Sequence, residues 1–346
     1  MRIGTWSFPA AKSLAMALTL AAAASLALPA ALGGSAALAS PAGVGTSTRP
    51  GTIAPPRAPA GANTAAPVTV GLCSAPRARE ALAADLSRDI TAAMHGRSGH
   101  IALSIQDAVT GAQCSDNQSA RSHSASVVKA TILAALLYWR QQTHTSLTST
   151  EQAEATSMIE LSDNDAATYL WNDVGHARLG QFVAAAAMTQ TQLDTGAAWG
   201  LSEITAHDEL ALMRLLTEPN QVLATSARQY ELNLMNHVVS YERWGVPDGA
   251  PSGLTVYVKN GWLNDPVEWV INSIGAVEGH GRDYKMAILT YDNPSEAYGI
   301  DTVERIAEAV NRDLNAGLPA AGTPLAVTLP PAEQGQPDEV IPAGAR

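Results

Sequence analysis

The 346-residue sequence predicts an α/β protein of the α+β type: a five-stranded antiparallel sheet flanked by helices, with an all-α subdomain inserted into it. Three observations carry this. Strand segments, the first of them alternating, fall at 100–107 (with a turn leading toward Cys114), 254–258, 267–277 and 284–292, near the two ends of the central region. Between 126 and 239 apolar residues recur instead at helical spacing, broken only by Asp/Asn/Gly/Thr loops. Finally, Pro/Gly/Ala/Ser/Thr tracts without apolar periodicity, at 40–70 and 318–346, set off about 245 residues, enough for one large domain or two interlocked lobes. A cleft between two such lobes is where a site is expected.

In chain order, Arg2 and Lys12 give a positive start without acidic residues, an Ala/Leu-rich run follows from about Ser13 to Leu32, and Ala37-Leu38-Ala39 is an A-x-A cleavage signal. Residues 1–39 therefore read as a signal peptide and 40–71 as a linker; 72–317 form the folded domain and 318–346 a tail. The expected location is extracytoplasmic, with no stable membrane insertion once the leader is removed. Outside the cytosol the only two cysteines, Cys73 and Cys114, are expected to pair. No Cys/His ligand spacing occurs, so neither a metal nor another cofactor is expected. The formal net charge is −11, and −13 without Arg2 and Lys12, which argues against nucleic acid and anionic membrane surfaces as partners.

The folded part opens with a helix over 76–94, where Ala81, Leu82, Leu86, Ile90 and Met94 share a face and Gly96 stops the run. His100–Asp107 alternates as a strand, and Val109-Thr110-Gly111 turns it toward Cys114. A helix to about Gln142 follows, then helices over 149–161, 164–174, 177–187, 205–216 and 225–238, with Thr205 as an N-cap and Asp208 three residues on. Three strands return, and a last amphipathic helix at 300–314 turns Val303, Ile306, Ala307 and Val310 inward.

Three short motifs punctuate this layout. Ser126 and Lys129 form S-x-x-K, a spacing that on a helix puts an amine within reach of a hydroxyl; a desolvated lysine can then act as the base that activates a serine. Ser162-Asp163-Asn164 follows a helix and suits a cap as well as a site. Lys259-Asn260-Gly261 ends a strand, and its glycine can equally be one that closes off pairing. The only lysines are Lys12, Lys129, Lys259 and Lys285, every other basic residue being arginine, which cannot give up its proton. Two of three lysines beyond the leader sit in motifs.

S-x-x-K, S-D-N and K-x-G in this order resemble the signature of the penicillin-recognising serine hydrolases, and the chain is most similar to class A β-lactamases over about 72–317. The resemblance implies that Ser126 is the nucleophile, Lys129 its proton acceptor, and Ser162 the relay to the leaving nitrogen. It implies that Asn164 holds an amide of the substrate and that Lys259, with Asn260, Gly261 and Trp262, forms the strand that binds it. Lys259 would face a substrate carboxylate, and the backbone N–H groups of Ser126 and Trp262 would form an oxyanion hole. Trp244 and Trp262 are candidates for lining the cleft; Arg243 suits either a carboxylate or the surface.

Two departures stand out. Asn260 replaces the Thr or Ser of the third motif. In addition, Met188–Leu201 lacks the E-x-x-L-N pattern whose Glu activates the deacylating water, with Asp194 and Glu203 the only nearby carboxylates and both expected to be solvated. The expected function is thus an exported monomeric serine hydrolase that is acylated by a β-lactam or related amide and deacylates slowly. The alternatives are a D-alanyl-D-alanine peptidase acting on a peptidoglycan-derived amide, and a non-catalytic binding module.

Overall fold

A computed structural model describes residues 66–265 and 268–317. The leader, most of the linker and the tail lie outside these residues. In order the elements are β1 (Val68–Val70), β2 (Cys73–Ala75), α1 (Glu80–Met94), β3 (His100–Asp107), β4 (Gln113–Asp116), β5 (Arg121–His123), α2 (Val128–Gln142), α3 (Ser149–Glu160), α4 (Asn164–Val174), α5 (His176–Ala185), β6 (Glu203–Thr205), α6 (Ala206–Thr217), α7 (Thr225–Asn236), β7 (Thr255–Asp265), β8 (Glu268–Gly279), β9 (Arg282–Asn293) and α8 (Glu296–Leu314).

Strands from both ends of the domain make one antiparallel sheet in the order β1-β2-β4-β3-β9-β8-β7, and the helices α2–α7 are inserted between β4 and β7. The sheet has seven strands rather than the expected five. The two additions, β1 and β2, are three residues each, too short to show alternation, and β1 lies inside the stretch read as linker. Pairing onto β4 sets Cys73 directly opposite Cys114, and the two form a disulfide. A second sheet of two three-residue strands, β5 and β6, escaped sequence reasoning for the same reason.

Burial explains the rest. β9 is buried along its middle, with α8 and α6 both packed against it, so it reads as a continuous apolar run. α2 is buried on every side from Val128 to Leu137, packed among α3, α4, α5 and α7, as a helix apolar all round must be. Thr148 and Glu151 close a capping box on α3, and the Thr205 hydroxyl accepts from Asp208 N at the start of α6. All three lysines among the described residues are fully buried. Lys285 is satisfied by Glu218 at 3.1 Å and Asp283 at 2.6 Å, far from the motifs in pairing and in role.

Candidate active site

Ser126 lies in a 3₁₀ turn, Ala125–Val127, that leads into α2. Ala125 takes a left-handed backbone (φ 46°), and its methyl is pinned in a small apolar cluster with Leu263 and Val270. The preceding residues are tied down by backbone bonds. Ser124 N donates to Ser202 O, and the Asn272 amide donates to His123 O at 2.8 Å and Ser124 O at 3.2 Å. On the other side runs β7. A Cβ on Gly261 would lie 2.7 Å from the backbone nitrogens of Ser126 and Val127, so glycine is what lets the strand approach. Gly261 does not close off pairing: β7 continues through it, opposite Asn272.

The second motif splits its roles. Asp163 is the N-cap of α4, accepting from Ala166 N at 2.7 Å, so the capping reading holds for it. Ser162 is buried with φ 58°, a conformation costly for a serine, and its hydroxyl stands between the two lysines. Lys259 Nζ donates to Ser162 Oγ at 2.9 Å and Lys129 Nζ at 3.3 Å. Lys129 Nζ also donates to Ser162 O and, at 2.7 Å, to Asn164 Oδ1. Lys259 reaches Ser162 across 97 residues of sequence and Lys129 across 33, so the three motifs converge on one buried hydroxyl.

One expectation is altered. The S-x-x-K spacing puts the Lys129 amine within reach of the Ser126 hydroxyl, yet Ser126 Oγ is buried without a hydrogen-bond partner. Ser126 sits on the 3₁₀ turn and Lys129 in the first turn of α2, so the two do not share a regular helical face, and a carbonyl, an amide oxygen and a hydroxyl together hold the Lys129 nitrogen better than one hydroxyl does.

Asn260 also differs from expectation. Its Nδ2 donates to Glu242 O at 2.7 Å and Trp244 O at 2.9 Å, which uses both amide protons on the 242–244 turn. Arg243 likewise turns to backbone, donating to Asn236 O and Val256 O, and burial pushes its guanidinium below the ordinary value. Trp244 and Trp262 pack as a tilted pair 6.1 Å apart, and Trp262 Nε1 is buried with no partner.

Comparison with known proteins accounts for this convergence. The profile described as "Beta-lactamase enzyme family" matches residues 139–314, just over half of the chain and including the second and third motifs. The chain belongs to that family. Its fold is that of class A β-lactamases. The TLA-3 extended-spectrum β-lactamase superposes with a TM-score of 0.60 at 14% identity, covering 66% of this chain and 98% of its own. A class A β-lactamase from Bacteroides cellulosilyticus gives 0.59 at 15%, covering 67% and 97%. A β-lactamase from Xanthomonas campestris gives 0.57 at 17%, covering 65% and 96%. No curated protein sequence matches significantly.

Within this family fold, the segment between α5 and β6 brings an aromatic ring, not an acid, to the lysine. The Trp199 ring centroid is 4.8 Å from Lys129 Nζ, and its Nε1 donates to Thr168 Oγ1. The Asp194 carboxylate instead accepts from Gly196 N and Ala198 N, shaping its own loop. Glu203 pairs in β6 across from His123, with Arg121 3.8 Å away. Both carboxylates remain partly exposed, as expected, and each is held by its own surroundings. Sequence reasoning missed Trp199, Asn272 and Glu242. Asn272-Ser273 inside an apolar strand was a signal for the second; Trp199 and Glu242 had none.

Proposed function

We propose that the protein is an exported serine hydrolase that forms an acyl-enzyme on Ser126 with a β-lactam or a related amide and releases it slowly. The observation carrying this reading is that the Ser162 hydroxyl accepts hydrogen bonds from both Lys129 and Lys259. With its lone pairs engaged, its own proton is left to point at a third partner, the leaving nitrogen. In the step itself Lys129 acts as the neutral amine: Ser126 Oγ adds to the carbonyl carbon, its proton passes to the Lys129 nitrogen, and the carbon–nitrogen bond breaks as Ser162 protonates the nitrogen. Ser162 is then reprotonated from Lys129, so protons balance. Water later cleaves the ester and restores Ser126. Export is supported by the leader pattern and by the disulfide. Slow release is supported by the α5–β6 segment, which places the Trp199 ring 4.8 Å from Lys129 Nζ and turns the Asp194 carboxylate onto its own loop.

Intact mass spectrometry after incubation with excess penicillin tests the reading. Wild type should gain one penicillin mass and Ser126→Ala none, while nitrocefin turnover stays low. Rapid steady-state turnover would overturn slow release, and an unmodified wild type would overturn acylation. A second reading, a peptidase acting on cell-wall peptides, is favoured by the same segment, which lacks the E-x-x-L-N pattern, since a peptidase needs no lactam-hydrolysing loop. Cleavage of an acyl-D-alanyl-D-alanine peptide would identify it.

A further inference from the structure

Three groups near the third motif are those that would hold an anionic substrate: Lys259, Asn260 and Arg243. Each is engaged by the protein itself. Lys259 Nζ is fully buried and lies 3.7 Å from Glu242 Oε2, on a side chain that is itself only 5% exposed. Asn260 has spent both amide protons on Glu242 O and Trp244 O, and its remaining atom, Oδ1, is an acceptor without a hydrogen-bond partner. Arg243 donates to two backbone carbonyls. The pieces are linked: the Asn260 amide grips the backbone of the turn whose carboxylate neutralises Lys259. A threonine or serine, shorter and with one hydroxyl proton, could not make both bonds.

We infer that Glu242 is a specificity-determining residue that gives this site a preference for electrically neutral amides and esters over substrates carrying a carboxylate beside the reacting carbonyl. An incoming carboxylate meets the Glu242 carboxylate at the cation it would need, and like charges brought together in a desolvated site repel strongly. A neutral group meets no such opposition, while Lys259 keeps its bond to Ser162. The preference disfavours peptides ending in a free carboxylate as well as penicillins in their acid form. The inference rests on the acyl-enzyme reading above.

Benzylpenicillin and its methyl ester differ in this one charge, which makes them the probe pair. Acylation rates of purified protein are measured by intact mass for both compounds, in wild type, Glu242→Gln and Asn260→Ser. Wild type should react about tenfold or more faster with the methyl ester. Glu242→Gln should cut that ratio by about tenfold through faster reaction with the free acid, and Asn260→Ser, which loosens the turn, should move it the same way. A wild type that prefers the free acid overturns the inference without any variant. So does an unchanged ratio in both variants. Modification in neither compound overturns the acyl-enzyme reading first, and this inference with it.

Discussion

At the scale of single residues, Ser162 is the junction of the site, and its left-handed backbone is the cost of placing a hydroxyl between two lysine nitrogens. Ser162→Ala should leave the fold intact but slow acylation about 10²-fold or more, read as the rate of mass gain with a reactive amide. Gly261→Ala makes a different test. Its methyl would sit 2.7 Å from Ser126 N, so β7 and the 3₁₀ turn must part, costing about 1–3 kcal/mol in a urea melt and abolishing acylation. Residue identities at these positions were legible because S-x-x-K, S-D-N and K-x-G are compact and ordered patterns. Their partners were not. Which acceptors hold Lys129, and where the Asn260 amide points, depend on carbonyls from segments distant in the chain.

Among the elements, α6 carries the clearest consequence. Glu209 is fully buried where α6 packs on the sheet, neither carboxylate oxygen has a hydrogen-bond partner, and burial, with Asp208 beside it, pushes its carboxyl up from 4.5 to about 8. Glu231 on α7 is pushed up by burial too. A carboxyl raised in the folded state contributes full stability below its unfolded value and loses it as pH climbs through the folded one. The protein should therefore lose stability between pH 5 and 8, with Glu209 responsible for on the order of 3 kcal/mol. Urea midpoints across this range should fall less steeply for Glu209→Gln; an equally steep fall would mean that Glu209 finds compensation in the fold. Amphipathic elements such as α1 and α8 were legible from period, and α2 from its unbroken apolar run. β1, β2, β5 and β6 were not, because three residues cannot display a period and they exist only through their pairing partners.

For the whole molecule, the sheet order separates two functions of the fold. The disulfide joins β2 to β4 at one end, and the motif strand β7 is the opposite edge. Replacing Cys73 and Cys114 together by serine should cost about 3–4 kcal/mol through the larger freedom of the unfolded chain, yet leave acylation of Ser126 in the surviving folded protein unchanged. A melt combined with intact mass measurement separates the two effects. The sequence by itself determined the α+β class, the helical insertion, the cysteine pair and the residues that meet at Ser162, since these rest on local period, composition and short motifs. Only the tertiary structure decided that Lys129 bonds to Ser162 and Asn164 rather than Ser126, that Trp199 rather than an acid faces it, and that Glu242 sits beside Lys259. The physical reason is that a buried charge takes whichever partners packing brings within a few ångströms, and no local pattern in the chain records that distance.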